Sequence, residues 1–331
     1  IYLIFITFFK KEYNLFIILS IIFIIWRSFS SYYFSEGVLD LVNSFRILTL
    51  ILLINITIKK YPKSTLKALS ALFGFYIILN FISYLIFSGG LYWTGSQNAW
   101  ILGIENQFGY FLIPGILLSI LFSWYKHKKI SGLSLFVVML AVSTLLMAWS
   151  ATAIVAVFFL LTSIFINVRQ RIKPVYSFIT LSILYLAIWF VIVRFNSFNS
   201  LEIIITDILG KDLTFSGRTR IWDSVFDTIP NSLWYGFGIN SEVLGGIVTY
   251  FAAHNMILQI FLDTGLIGLT LFFICIVVGG VKLQKTKNNR VSVILLIGIF
   301  GILIGGITES YRMNYLFLLL TLSYNVKYLK K

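Results

Sequence analysis

The chain has few of the residues on which soluble and secreted proteins depend. Only 11% of its 331 residues are charged, and it contains one cysteine, Cys275, and two histidines. Soluble domains average roughly 25% charged residues, so the sequence excludes a soluble globular protein. A single cysteine excludes an internal disulfide framework and a cysteine-rich metal site. The chain also lacks a phosphate-binding glycine loop, and we expect no metal and no other cofactor.

Apolar residues make up 59% of the chain, in runs long enough to cross a membrane. A spanning helix needs about 20 apolar residues. We therefore predict an all-α polytopic membrane protein, one integral membrane domain over residues 1–331 with about eleven segments. The first stretch, Ile1–Phe9, is too short to span, and we interpret it as the tail of a truncated helix because it lacks the features of a signal peptide. The full segments are Tyr13–Phe29, Leu39–Ile58, Leu66–Phe87, Phe108–Tyr125, Ser131–Ala148, Ala151–Val168, Val175–Val193, Ala253–Val281, Val291–Thr308 and Asn314–Val326.

The net charge of +14 is distributed as a topology signal. Basic residues fill every alternate turn between the apolar runs, and the positive-inside rule assigns those turns and the C-terminus to the cytoplasm. Because topology accounts for the excess charge, we expect no nucleic-acid partner. The turns assigned to the cytoplasm carry Lys10, Lys11, Lys59, Lys60, Lys63, Lys67, Lys126, Lys128, Lys129, Arg169, Arg171, Lys173, Lys282, Lys285, Lys287, Arg290, Lys327, Lys330 and Lys331.

The basic residues on the opposite, outer side are almost all arginine. Arginine presents a planar fork that grips phosphate or carboxylate through two bonds, so this side is predicted to handle an anion. Arginine also snorkels well at a membrane interface, which is the simpler interpretation. Arg46 lies within an apolar segment, where a charge needs a cavity or a partner. Arg312 shares a tight turn with Glu309, for which a local ion pair is the simpler account. The outer residues are Arg27, Arg46, Arg194, Lys211, Arg218, Arg220 and Arg312.

One outer connection, residues 194–252, is far longer than usual and rich in aromatic residues. Such a loop is usually functional, and its composition argues against disorder. We predict an extracytoplasmic loop with a short amphipathic helix over 216–229 at the outer membrane interface, capped by Ser216 and ended by Pro230. Arg218 and Arg220 fall in its first turn, where the positive end of a helix and two guanidinium groups suit an anion. Contact with lipid headgroups is the alternative. The apolar stripe is Ile221, Trp222, Val225, Phe226 and Ile229.

His254 and Asn255 open the next membrane segment at its outer end. An imidazole takes up a proton near neutral pH, as a general base must. An interfacial histidine bonded to a loop is the alternative. Asp263 lies nine residues further on, about half a turn round the same helix, so it cannot orient His254 directly. We expect Asp263 to be structural or paired with another helix.

These motifs, taken in order, carry a family resemblance. Ser216-Gly217-Arg218-x-x-Ile221-Trp222, then Pro230 and Gly236/Gly238, then His254-Asn255-x-x-Leu-Gln and Asp263-Thr-Gly, resemble the O-antigen ligase/polymerase family of bacterial envelope proteins. Asn106-Gln107-Phe108-Gly109 is similar to another recurrent family segment, which adds Asn106 to the candidate substrate-binding residues. The family commonly has Glu where this chain has Asp263, and the shorter side chain puts that residue's role in question.

The resemblance implies a glycosyltransferase of the bacterial cytoplasmic membrane. Its donor would be an oligosaccharide on undecaprenyl diphosphate, and it would act beside membrane lipid with a chain-length regulator and a flippase. Arg218 would grip the diphosphate, with Arg220, Arg46, Arg312 and Asn255 as further substrate-binding candidates, and His254 would take the proton of the acceptor hydroxyl. A polysaccharide polymerase for capsule, exopolysaccharide or O-antigen is the first hypothesis. Transfer to another acceptor by a ligase, a lipid-linked saccharide transporter, and a sensor or scaffold are the alternatives.

Overall fold

The computed structural model describes residues 2–35, 38–95, 97–169, 174–194, 218–239, 241–244 and 252–330. These residues form twelve α-helices and one short β-hairpin. The helices are α1 Tyr2–Phe9, α2 Leu15–Ser35, α3 Val38–Lys60, α4 Pro62–Ile86, α5 Phe108–His127, α6 Gly132–Met147, α7 Ala151–Arg169, α8 Phe178–Arg194, α9 Arg218–Thr228, α10 Met256–Gln284, α11 Arg290–Gly305 and α12 Asn314–Tyr324. The strands are β1 Tyr92–Trp93 and β2 Asn98–Ala99, which pair antiparallel.

Every apolar segment predicted from the sequence coincides with a helix, because long apolar runs satisfy their backbone groups internally only as helices in lipid. The chain is an all-α membrane protein. The described helices include five that are long and apolar enough to cross a membrane, and five shorter apolar helices accompany them. The number of spans and their orientation stay predictions. The five longer ones are Leu15–Phe34, Leu41–Lys60, Pro62–Ile86, Glu105–His127 and Met256–Gln284.

The chain divides into two compact units. Unit 1 comprises Ile1–Leu52, Ser182–Val278 and Gly306–Tyr311, and unit 2 comprises Leu53–Leu181, Gly279–Gly305 and Arg312–Lys331. The single integral membrane domain over residues 1–331 stays a prediction.

Helices α5 and α11 form the core of unit 2, and α4, α6, α7 and α12 pack around them. Almost every side chain of α5 and α11 is buried. Glycine allows close packing at this core: a Cβ on Gly298 would lie 2.1 Å from Leu117, and one on Gly115 would lie 2.7 Å from Ile77. Small residues that let helices approach are the usual packing device of membrane bundles.

In unit 1, helix α10 is broken at Gly265, which has φ +63° and ψ −169°. That backbone region is essentially restricted to glycine. The loop that follows α9 enters the break: Phe237 N donates to the carbonyl of Leu262, and Leu266 N donates to the carbonyl of Leu233. A Cβ on Gly265 would lie 2.4 Å from the carbonyl of Trp234, so the two backbones touch.

Helix α2 completes the pairing at this break. The Ser30 hydroxyl donates to the carbonyls of Tyr235 and Asp263, and the Trp26 indole donates to the carbonyl of Thr264. An unpaired backbone group in lipid costs several kcal/mol, so an open helix is tolerated only when protein satisfies its ends. The loop, α2 and α10 are thus held as one packed element in unit 1.

Candidate functional site

Arg218 is the first residue of helix α9, and the apolar side chains of this helix are buried. Trp222 is completely buried, and its indole donates to the carbonyl of Ala253 at 3.1 Å. Ile221, Val225 and Ile229 are also buried, and Phe226, the other member of the predicted stripe, is half-buried. The buried side chains pack against protein, and the position of the helix at the outer membrane interface stays a prediction. The proposed cap, Ser216, lies outside the described residues; the helix described begins at Arg218 and ends at Thr228.

The turn before α10 holds His254 in an unusual conformation. His254 has φ +44°, a left-handed value uncommon for residues other than glycine. Strained backbone of this kind costs roughly 1–3 kcal/mol and is concentrated at functional sites. The helix itself begins at Met256, so His254 precedes it.

Asn255 fixes this turn from both sides. Its Oδ1 accepts from the backbone N–H groups of Ile257 and Leu258 at 3.0 Å, which is an N-cap. Its Nδ2 donates to the carbonyl of Ile307 at 2.7 Å, and Met256 N donates to Gly306. Asn255 is completely buried. Its amide therefore caps the helix and holds the turn that carries His254, and its predicted role in binding substrate stays a prediction.

These bonds bring Glu309 to His254. One carboxylate oxygen of Glu309 accepts from Nη2 of Arg218, and the other lies 3.7 Å from Nδ1 of His254. We call these residues the Arg–His–Glu cluster (Arg218, His254 and Glu309). The side chains of Arg218 and Glu309 are only 14% and 13% exposed, so their charges interact more strongly than they would in water.

A second set of polar contacts supports the His254 turn from the other side. Gln259 accepts from the backbone N–H of Ala253 at 2.8 Å, and its amide donates to Asp263 at 2.7 Å. Asp263 thus reaches the His254 turn through Gln259. Burial raises the pKa of the Tyr311 phenol, with the Glu309 carboxylate adding to the effect and Arg218 opposing it.

The remaining arginine candidates of unit 1 lie apart from the cluster. Arg220 is exposed, since a side chain two residues along a helix points away from Arg218. Arg46 is also exposed, and its guanidinium donates to Asn43 at 3.3 Å. The partner predicted for Arg46 is thus a neighbour on its own helix.

Two candidates belong to unit 2. Arg312 is exposed near the rings of Tyr110 and Tyr315, whose centroids are 4.4 Å apart. Asn106 is exposed at the start of α5, beside the β-hairpin. Their roles in binding substrate stay predictions.

Glu309 was not among the site residues predicted from the sequence. The sequence analysis treated Glu309 as the local partner of Arg312, whereas the structure pairs it with Arg218, 91 positions away. The available signal was weak: an acidic residue in an outer turn of a chain with only 12 Asp and Glu.

The family comparison covers the larger part of this cluster. Residues 136–273 match the family model described as O-antigen ligase. Over this region the match confirms the resemblance to the O-antigen ligase/polymerase family that the motifs indicated. The match includes Arg218, Arg220, His254 and Asn255, and it ends before Glu309. No curated protein matches the chain. The O-antigen ligase match supports glycan transfer of ligase or polymerase type as the general activity.

Proposed function

We propose that the protein is a polysaccharide polymerase that transfers a glycan from undecaprenyl diphosphate to the hydroxyl of a saccharide acceptor, on the outer face of the cytoplasmic membrane. The observation that carries the proposal is the Arg–His–Glu cluster. Arg218, a cation suited to a diphosphate, and His254, a base suited to a hydroxyl, both lie beside the carboxylate of Glu309. Single displacement of a diphosphate by a sugar hydroxyl needs both groups.

His254 takes the acceptor proton in this reaction. As the acceptor oxygen forms its bond to the anomeric carbon, its hydroxyl proton passes to the imidazole of His254. The carboxylate of Glu309, 3.7 Å from Nδ1, then faces the imidazolium that forms and stabilises its charge. A carboxylate behind a catalytic histidine has the same effect in hydrolytic triads. Asn255 and Gln259 act as positioning residues, because they bond the turn that carries His254.

Arg218 receives the leaving group. The bond between the anomeric carbon and the diphosphate breaks with its electron pair on the phosphate oxygen, so negative charge grows there. A fixed guanidinium stabilises that charge without reorganising. Guanidinium has five N–H donors, and the bond to Glu309 leaves others for phosphate. The products are the extended glycan, undecaprenyl diphosphate and the proton on His254.

A reconstituted transfer assay tests the proposal. The purified full chain in lipid nanodiscs is given an undecaprenyl-diphosphate-linked oligosaccharide without nucleotide, and product length is followed on gels. We expect ladder formation by the unaltered protein, and a loss of about 100-fold or more in rate for His254→Gln, the range of general acid–base catalysis. His127→Gln is the matched control, because His127 is an exposed histidine at the end of α5 in unit 2.

The outcomes separate the alternatives. A single round of transfer to a different acceptor, with no ladder, would identify a ligase that uses the same cluster. Movement of labelled donor between leaflets with unchanged glycan length would identify a transporter. Full activity in both His254→Gln and Arg218→Gln would overturn the assignment of the cluster. Addition of a chain-length regulator is expected to change the distribution of product lengths and leave the rate of a single addition unchanged.

A further inference from the structure

A pocket in unit 2 has the chemistry of a carbohydrate site. It lies where the β-hairpin meets the start of α5, and its volume is about 470 Å³. Small-molecule sites commonly measure about 300–1,000 Å³. We call it the hairpin pocket, and its lining residues are Ser88, Trp93, Gln97, Asn98, Trp100, Glu105 and Asn106.

Hydrogen bonds and ring contacts hold Trp100 and Glu105 in place in the wall of the hairpin pocket. The Trp100 indole donates to the carbonyl of Phe87 at 2.8 Å, and its ring lies against Tyr84 with centroids 4.6 Å apart. The Tyr84 hydroxyl donates to Glu105 at 2.6 Å, which orients the carboxylate. Across the hairpin, Trp93 pairs in register with Asn98. Trp100 is 4% exposed and forms a fixed floor.

Three lining groups are available to a ligand. Trp93 is 63% exposed, so a broad indole face stands open beside the pocket. The side-chain amides of Asn98 and Asn106 make no hydrogen bond to any residue that the structure describes. An amide offers two donors and an acceptor, so the two amides match the hydroxyl groups around a sugar ring, and Glu105 can accept a further bond beside the one from Tyr84. The apolar C–H face of a sugar suits an indole, which combines a large apolar surface with polar edges.

The hairpin pocket differs from the Arg–His–Glu cluster in its charge. Among the described residues that line it there is no lysine or arginine, and the one charged residue is Glu105. A carboxylate repels phosphate and uronic acids and accepts bonds from neutral hydroxyls. We infer that the hairpin pocket binds the neutral saccharide part of the substrate, apart from the diphosphate. The inference rests on the proposed function, in which a saccharide is the substrate. It adds a binding site whose residues take no part in the proposed proton transfer or in stabilising the leaving group.

Binding to lipid-free sugars tests this inference independently of transfer. The probe is an immobilised array of bacterial surface oligosaccharides without lipid, with neutral, N-acetylated and uronic-acid-containing repeats, exposed to the full chain in nanodiscs. We expect binding to neutral or N-acetylated repeats that weakens at least tenfold in Trp93→Ala and in Asn106→Ala. The matched control is Tyr92→Ala, the neighbouring exposed aromatic outside the pocket lining, and it should bind as the unaltered protein does.

Each result bears on one proposal. Binding to no neutral or N-acetylated oligosaccharide, or equal binding by Trp93→Ala and the unaltered protein, would overturn the saccharide site while leaving measured transfer untouched. Absence of transfer together with Trp93-dependent binding would overturn the proposed function and keep the site. Because Trp93 is exposed, Trp93→Ala should melt at the temperature of the unaltered protein, and Trp93→Phe should restore part of the binding through its remaining ring.

Discussion

The carboxylate of Glu309 lies 3.7 Å from Nδ1 of His254, although more than fifty residues separate the two in the sequence. The same carboxylate accepts a bond from Arg218. Partly buried ion pairs are weak evidence for stability, since desolvation offsets much of their attraction. A carboxylate shared between a cation and an imidazole is better explained by the reaction proposed for this site. It makes Glu309 a positioning residue for both.

Replacing Glu309 by glutamine should separate catalysis from donor binding. The amide keeps the size of the side chain but removes its charge, so the imidazolium of His254 loses its stabilising partner. We expect kcat to fall by about 10–100-fold, part of the range that general acid–base catalysis supplies. The KM for the donor should not rise, because Arg218 gains freedom to bind phosphate. Steady-state transfer rates over a range of donor concentrations measure both constants.

Two further variants make the Glu309 measurement decisive. Glu309→Asp keeps the charge and should recover part of kcat. Asp223→Asn removes an exposed carboxylate on α9 and should leave both constants unchanged. An unchanged kcat in Glu309→Gln would exclude a role for the carboxylate in proton transfer.

The two arginines of α9 should differ sharply when each is replaced by lysine. Arg218 faces Glu309, and its planar fork cannot be copied by a single ammonium. Loss of a charge-assisted bond worth about 1.5–3 kcal/mol corresponds to a rise of roughly 10–100-fold in donor KM. Arg220 is exposed, so Arg220→Lys should change the KM by about twofold or less. Equal effects at both positions would show that the helix end as a whole, and not Arg218, binds the anion.

The sequence predicts the helices well, including the helix that carries Arg218, because helix formation depends on local patterns. Apolar runs and the spacing of Ile221, Trp222 and Val225 are local properties, and the structure places helices at both. The partners of polar side chains are not local. Met256 and Asn255 bond the backbone at residues 306 and 307, close to Glu309, and no sequence period records such contacts. The break at Gly265 lies inside the predicted segment Ala253–Val281, where the sequence pattern does not distinguish a broken helix from a straight one.

Asn255 shows how one residue type supports two interpretations. The motif led to a substrate-binding role, while asparagine before a helix is also among the best N-caps. The structure uses its amide for the cap and for the carbonyl of Ile307. The sequence analysis assigned only the substrate-binding role, which stays a prediction, and the geometry of the turn adds the cap.

Asn255→Ala should lower stability and activity together. Loss of the cap costs about 0.5–2 kcal/mol, and loss of the bond to Ile307 about 1 kcal/mol more. Because His254 is adjacent, kcat should fall even at temperatures where the variant is folded, with donor KM unchanged. Ser131→Ala is the control: Ser131 caps α6 by accepting from Ser134 N, so it should lose stability without a matching loss of kcat. Full kcat in Asn255→Ala would show that the turn keeps its place unaided.

Gly265→Ala should disrupt unit 1 severely, although it adds only one methyl group. Its backbone conformation, with φ +63° and ψ −169°, costs a residue with a side chain roughly 1–3 kcal/mol, and the new Cβ would lie 2.4 Å from the carbonyl of Trp234. The inserted loop must then leave the break, which exposes backbone groups of Leu262 and Leu266 that it now pairs. We expect a clear fall in the melting temperature in nanodiscs. Gly132→Ala is the matched control, since a Cβ there meets nothing within 4 Å and its helical position gains from alanine. A melting temperature unchanged by Gly265→Ala would mean that the loop and α10 separate without cost, and that the break does not hold them together.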